Sequence, residues 1–263
     1  MEINLDQALE RFQKTAERSQ RELRDFVATQ TQVVRCRVHP DFERRIDPQL
    51  TARTTANNFG TFKAGYTPCQ KCLEEAQVAK LQSYGLPDNL INATFENFTP
   101  DEEADAGHVE AVKSFCDIRR GFLVMIGGYG TGKSHLSAAA LRAVGKGWFV
   151  KQSSLLYALR QTYRDTAAFD PIDRAQSARL FVLDDVGSSS GGRDELPLLH
   201  EILDYRHGER LPTIITSNLP FEKLSAVIGE RMADRLRESA FRVLKFTGTS
   251  NRRQARQRYF ETE

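Results

Sequence analysis

The chain has 263 residues, 40% hydrophobic and 27% charged, with 37 basic against 35 acidic side chains for a net charge of +2. That length holds one domain of ordinary size plus a small appended module, and the composition is globular rather than collagen-like or low-complexity. The near-neutral total predicts no general affinity for nucleic acid or membrane. No apolar run reaches the roughly 18 residues a membrane-spanning helix needs, and four cysteines are too few for a disulfide framework. Residues 1–10 are polar and acidic, without the apolar stretch of a secretory signal. The expected compartment is the cytoplasm.

Residues 4–29 read as a helix, because Leu5, Leu9, Phe12, Ala16, Leu23 and Phe26 fall near one face. Such a helix either packs on its own protein or docks on a partner or a second copy, and the pattern leaves both open. Residues 33–80 show little periodicity and are punctuated by Pro40, Pro48, Gly60, Gly65 and Pro68. A segment this poor in aliphatics needs a staple to fold.

Three of the four cysteines lie in that segment. Cys36-x-x-His39 and Cys69-x-x-Cys72 form two ligand pairs separated by 29 residues. Each pair can grip a metal from a tight turn, and two pairs complete a tetrahedral zinc site of three thiolates and an imidazole. A redox C-x-x-C would be expected near a βαβ unit, and this one lies outside such a unit. Free thiols are the remaining alternative. Cys116 stands alone in a helix over 109–118 and reads as a small core residue.

From residue 81 onward the pattern alternates between strand and helix. Apolar runs at 121–127, 148–150, 180–183, 213–216 and 241–246 predict five strands. The stretches 134–144, 153–166, 195–207 and 221–238 predict the helices between them. Strands separated by helices imply an α/β fold with a parallel sheet flanked by helices.

The first strand runs into Gly127-Gly128-Tyr129-Gly130-Thr131-Gly132-Lys133-Ser134, a full G-x-x-x-x-G-K-[ST] between a strand and a helix. The glycines let backbone N–H groups curl around phosphates, and the helix N-terminus adds its positive end. Lys133 is placed to reach the outer phosphates and Ser134 to complete a magnesium shell. Leu180-Phe181-Val182-Leu183-Asp184-Asp185 puts two carboxylates at the end of a buried strand, where ligands bind in open parallel sheets. Asp184 is the expected magnesium carboxylate, and Asp185 the candidate to orient or deprotonate an attacking water. Asn218, closing Thr216-Ser217-Asn218, is the candidate to hold that water or the γ-phosphate. Arg231 and Arg235 share a helix face. They either reach a neighbouring subunit's γ-phosphate or sit on a solvated helix with Arg–Asp pairs. The guanine-specifying N-K-x-D is absent, which favours ATP over GTP.

Both Walker motifs, Asn218 and the segment Gly229-Glu230-Arg231 to Asp234-Arg235-Leu236 together resemble the DnaC-type AAA+ helicase loaders, with the transposition helper IstB as their relative. Thr94-Phe95-Glu96-Asn97-Phe98, Gly130-Thr131-Gly132-Lys133-Ser134-His135-Leu136, Pro212-Thr213-Ile214-Ile215 and Gly248-Thr249-Ser250-Asn251-Arg252 extend the resemblance over about residues 92–253. The cysteine segment followed by Glu74-Glu75 is similar to the N-terminal zinc module of phage-type members.

The resemblance implies an AAA+ P-loop ATPase over 81–263 without a full helical lid, since only 45 residues follow Asn218. Before it would come a helix over 1–32 and a zinc-binding, helicase-docking module over 33–80. ATP and Mg²⁺ would be held by Gly128, Tyr129, Gly130, Thr131, Gly132, Lys133, Ser134 and His135 with Asp184. Asn218 matches sensor 1, and Arg235, with Arg231 beside it, the arginine finger. Asp185 departs from the glutamate that many loaders carry. Implied partners are a replicative DNA helicase, single-stranded DNA and further copies of the chain, with no membrane. Tyr163-Arg164 and the loop from Ser188 to Arg193 are the candidate DNA contacts, and the plainer reading of each, an exposed helix end and a loop without a partner role, stays equally open. The alternative function is regulation of a transposase on duplex DNA.

The net charge also averages unlike parts. Residues 97–112 carry five acidic and no basic side chains, whereas residues 230–258 carry nine basic against three acidic, a net of +6. The distribution leaves room for a phosphate-facing edge that the total does not suggest.

Overall fold

The computed structural model describes residues 33–35, 38–41, 43–45, 69–100, 103–162, 170–188, 195–239 and 241–248. The helix expected over 4–29, Cys36, and the candidate DNA contacts at 163–164 and 189–193 lie outside them. The chain divides into two compact units, Met1–Ala79 and Lys80–Glu263.

In the first unit, β1 (Val33–Arg35) pairs antiparallel with β2 (Glu43–Arg45), Val34 standing opposite Arg44. Helix α1 (Gln70–Ser83) begins directly after Cys69. The stretch of little periodicity over 33–80 thus holds two short strands and most of a helix. The two strands are too short to show an alternation. The helix escapes detection because it has no apolar stripe: Leu81 is its one buried residue, and Leu73 is half exposed.

In the second unit a short 3₁₀ turn (Asp88–Leu90) precedes α2 (Glu103–Ile118), on which Cys116 is buried as expected. The order is then β3 (Phe122–Gly127), α3 (Lys133–Val144), β4 (Trp148–Lys151), α4 (Gln152–Thr162), α5 (Pro171–Ser177) and β5 (Phe181–Val186). It ends with α6 (Glu195–Gly208), β6 (Thr213–Ser217), α7 (Phe221–Ile228), α8 (Glu230–Ser239) and β7 (Arg242–Phe246). The five strands β3–β7 form one parallel sheet in the order β4-β5-β6-β3-β7. Phe122 through Ile126 are all buried, because helices cover both faces of such a sheet. That burial is why β3 reads as a continuous apolar run rather than an alternating one. No helix among the described residues is long and apolar enough to cross a membrane.

Three expectations change in detail. The helix predicted over 221–238 is two helices, broken at Gly229, whose φ of 85° takes the chain out of helical geometry. Helix α5 was not foreseen, although Asp170 caps it by accepting from the N–H groups of Ile172 and Asp173, with Pro171 in the first turn. Strand β5 continues past Leu183, so Asp184 and Asp185 lie within it at an irregularity in its pairing with β6.

A fully buried arginine ties these elements together. Arg206 of α6 donates to the carbonyls of Ala175, Gln176, Ala178 and Pro212 and to Thr213 Oγ1, and it lies over the Phe181 ring. Three of those carbonyls end or follow α5, where a helix leaves acceptors unmatched and a cation is favoured. The arginine fixes α5 and the start of β6 against β5, the strand that carries the two aspartates.

Candidate nucleotide-binding and metal sites

The phosphate loop leaves β3 at Gly127 and enters α3 at Lys133, with Gly132 as the N-cap residue at a φ of 92°. A side chain at Gly132 would also strike the Phe98 ring, 2.4 Å from where its Cβ would lie. Glycine is needed there for backbone geometry and for space. Phe98 belongs to a tight turn in which Thr94 and Asn97 exchange side-chain-to-backbone hydrogen bonds.

Lys133 is buried within the loop. Its Nζ donates to the carbonyl oxygens of Gly127 at 2.8 Å and Gly128 at 2.6 Å, and to Thr131 Oγ1 at 3.3 Å. Burial pushes its ammonium down to about 8, against the pull of Asp184 and Asp185. Tyr129 is largely exposed, at 73%. His135 Nε2 is 2.9 Å from the Thr94 carbonyl oxygen and its ring meets Phe98, so this predicted nucleotide residue anchors the turn before the loop.

The two Walker motifs meet directly. Ser134 Oγ donates to Asp184 Oδ1 at 2.8 Å. Thr216 Oγ1 donates to the same oxygen at 2.7 Å and accepts from the Asp185 N–H at 2.9 Å. Asn218 Nδ2 donates to Asp185 Oδ1 at 2.6 Å. Asp184 is almost fully buried, which raises its carboxyl above the usual range despite the bonds from Thr216 and Ser134. Asp185 adopts a left-handed backbone, φ 59°, which Asp tolerates better than most residues. The hydroxyl of Ser134 and the carboxylate of Asp184 are hard oxygen donors side by side, the donor chemistry that suits Mg²⁺.

Thr216 is the residue that sequence reading passed over. It appears only as part of the motif ending in Asn218, yet its hydroxyl links the two aspartates. The signal available was a hydroxyl residue two before the strand-end asparagine, on the strand beside β5.

The arginine helix is α8. Arg235 is ion-paired with Asp204 of α6, and Arg237 with Asp234 one turn away. Arg231 is exposed on the same helix. The Arg–Asp pairs of the simpler reading are thus present within the chain.

The N-terminal cluster brings together His39, Cys69 and Cys72, whose ligand atoms all lie within 4.8 Å of one another. His39 Nδ1 is 3.5 Å from Cys69 Sγ and 3.3 Å from Cys72 Sγ. The Cys72 N–H points at Cys69 Sγ at 3.4 Å, so the turn that starts α1 aims a backbone donor at that sulfur. Two sulfurs and an imidazole converging at a buried point fit the donor set of a structural zinc ion. The fourth predicted ligand, Cys36, lies outside the described residues.

A Walker loop, a paired Asp184–Ser134 and a strand-end Asn218 on a parallel sheet of order β4-β5-β6-β3-β7 define an AAA+ P-loop ATP-binding domain. The family model described as "IstB-like ATP binding protein" matches residues 69–259, and the chain belongs to that family. The replicative helicase loader DnaC of Escherichia coli K12 is 24% identical over 155 residues, 56% of this chain and 63% of that protein. The chain thus spans less than two thirds of that relative's length. The loader DnaC of Buchnera aphidicola from Schizaphis graminum is 25% identical over 206 residues, 73% of this chain and 84% of the relative. Among solved structures, that of the DnaC helicase loader superposes with a TM-score of 0.56 at 22% identity, covering 61% of this chain and 99% of the other. That likeness bears out the α/β AAA+ fold.

Proposed function

We propose that this chain is an ATP-hydrolysing loader of a replicative DNA helicase. The observation that carries the enzymatic part is the contact chain from Ser134 through Asp184 and Thr216 to Asp185 and Asn218. The glycine loop and Lys133 bind the phosphates, with Tyr129 and His135 at its rim. Ser134 and Asp184 hold Mg²⁺. The metal, when bound, neutralises charge on the phosphates. Asp185 accepts a proton from, or orients, the attacking water, and Asn218 holds Asp185 in place. Thr216 sets the two aspartates relative to each other and is a positioning residue.

Arg235, with Arg231 beside it, serves the γ-phosphate of a neighbouring copy once Asp204 releases it. Charge spreading in the transition state is what such an arginine stabilises. Self-association through the ATP-binding domains is therefore part of the reading. The basic stretch over 230–258 supports contact with single-stranded DNA, and the zinc-stapled N-terminal segment is the docking module for the helicase.

The loader reading is supported by the helicase-loader relatives. The description of the matching family supports a second reading, an IstB-like regulator of a transposase on duplex DNA. Pull-downs with a replicative helicase and with a transposase separate the two. Capture of the helicase is the expected result; capture of the transposase alone would replace the loader reading. An ATPase assay with and without single-stranded DNA tests turnover, and Asp185→Asn should abolish it while sparing nucleotide binding.

A further inference from the structure

The side of His39 opposite the sulfurs is occupied by a carboxylate. Its Nε2 lies 2.9 Å from Glu75 Oε1, while Nδ1 faces Cys69 Sγ and Cys72 Sγ. An ionised carboxylate only accepts, so the proton of the neutral imidazole sits on Nε2 and the lone pair of Nδ1 is left toward the two sulfurs. Glu75 stands on α1, three residues after Cys72, so a single turn of helix carries a ligand and this acceptor. The imidazole is buried at 9% exposure and the Glu75 side chain is 57% exposed. The acceptor therefore reaches in from a solvated helix face, and the fold does not require it for packing.

From this geometry we infer that Glu75 is the orienting carboxylate of the metal site, fixing His39 to bind zinc through Nδ1. The inference rests on the zinc reading of the cluster and adds the ligating nitrogen and the residue that selects it. A hydrogen-bonded carboxylate behind a ligating imidazole fixes its tautomer and ring orientation and makes it a better donor. Losing such a partner typically weakens metal binding by about 10–100-fold.

The test uses the full chain. Metal analysis of the purified wild type comes first, and one zinc per chain is expected; no bound zinc would overturn the metal reading itself. Competition against a chromophoric chelator then compares variants. Glu75→Ala should bind zinc about 10–100-fold more weakly. Glu75→Gln, which keeps an accepting oxygen without the charge, should fall between it and wild type. An unchanged melting transition of the ATP-binding unit controls for folding. Long-range ¹H–¹⁵N spectra of the zinc-loaded, histidine-labelled chain should show one histidine metal-bound at Nδ1 and protonated at Nε2. Zinc bound with wild-type affinity by Glu75→Ala, or a metal-bound Nε2, would overturn the role of Glu75 and leave the metal reading standing.

Discussion

At the nucleotide site, Lys133 and Ser134 start a helix and Asp184 and Thr216 lie in the second halves of two strands, and the apolar neighbours of all four are almost all buried. At the N-terminal cluster, His39, Cys69 and Cys72 stand on a turn and at the start of a helix, and Cys69 and His39 are the only buried side chains described before residue 80. The first arrangement follows from hydrophobic burial: Phe122, Val124, Phe181, Leu183 and Ile215 form one core that places the polar groups before any ligand arrives. Around the second, the described residues offer almost no buried apolar neighbours, so on the proposed zinc reading its geometry would come from the ion that the three side chains share. One site is built by the fold; the other, on the proposed zinc reading, would build the fold around it.

The perturbation that breaks this comparison most sharply is loss of a cysteine. Cys69→Ser should release zinc and unfold the first unit, because structural zinc contributes on the order of 10 kcal/mol to such modules. ATP affinity should stay unchanged. Metal analysis with circular dichroism checks the first outcome and fluorescence polarisation the second.

Lys133→Ala is the converse. Removing a buried ammonium that would bind phosphate should weaken ATP binding by about two orders of magnitude. Zinc content should not move. A variant that lost both would show the two units to be thermodynamically coupled.

A smaller effect is expected at Thr216→Val, which keeps the side-chain volume and removes the hydroxyl. Turnover should drop by about tenfold, on the scale of one lost hydrogen bond, with ATP affinity held within about twofold. Steady-state ATPase rates with parallel binding titrations read this directly. Loss of binding would mean that Thr216 maintains the loop itself.

The smallest effect is a proton balance. Burial lowers Lys133 to about 8, below the value near 10.4 that an exposed lysine has. Folding thus disfavours its charged form, and the free domain gains stability as pH rises through that window. ATP binding requires the ammonium, so affinity should fall above about pH 8, and binding at pH 9 should take up close to one proton against almost none at pH 7. Calorimetry in buffers of different ionisation enthalpy measures that uptake, and Lys133→Ala should abolish it.

The same contrast explains what was legible in the sequence. The five strands and the Walker residues were readable because a strand buried on both faces must be apolar throughout, and because phosphate binding demands glycine, lysine and serine in fixed order. Helix α1 was not, since a helix that buries Leu81 alone carries no apolar stripe. The break at Gly229 was hidden inside an otherwise periodic run from Phe221 to Glu238. The four residues of the proposed zinc site could be named from spacing, and the structure brings three of them together, yet Glu75 read only as one of two adjacent acids. Thr216 was missed because its role is made by contact across strands, and its place two residues before Asn218 reads as part of the asparagine's motif.

The most direct test of the central proposal is helicase loading onto closed circular single-stranded DNA, a substrate that a ring cannot thread from an end. With wild-type chain and ATP, a replicative helicase should be recovered on the circle. With Lys133→Ala, or without the chain, it should not. Recovery of the same amount of helicase whether or not the chain is present would contradict the loader function.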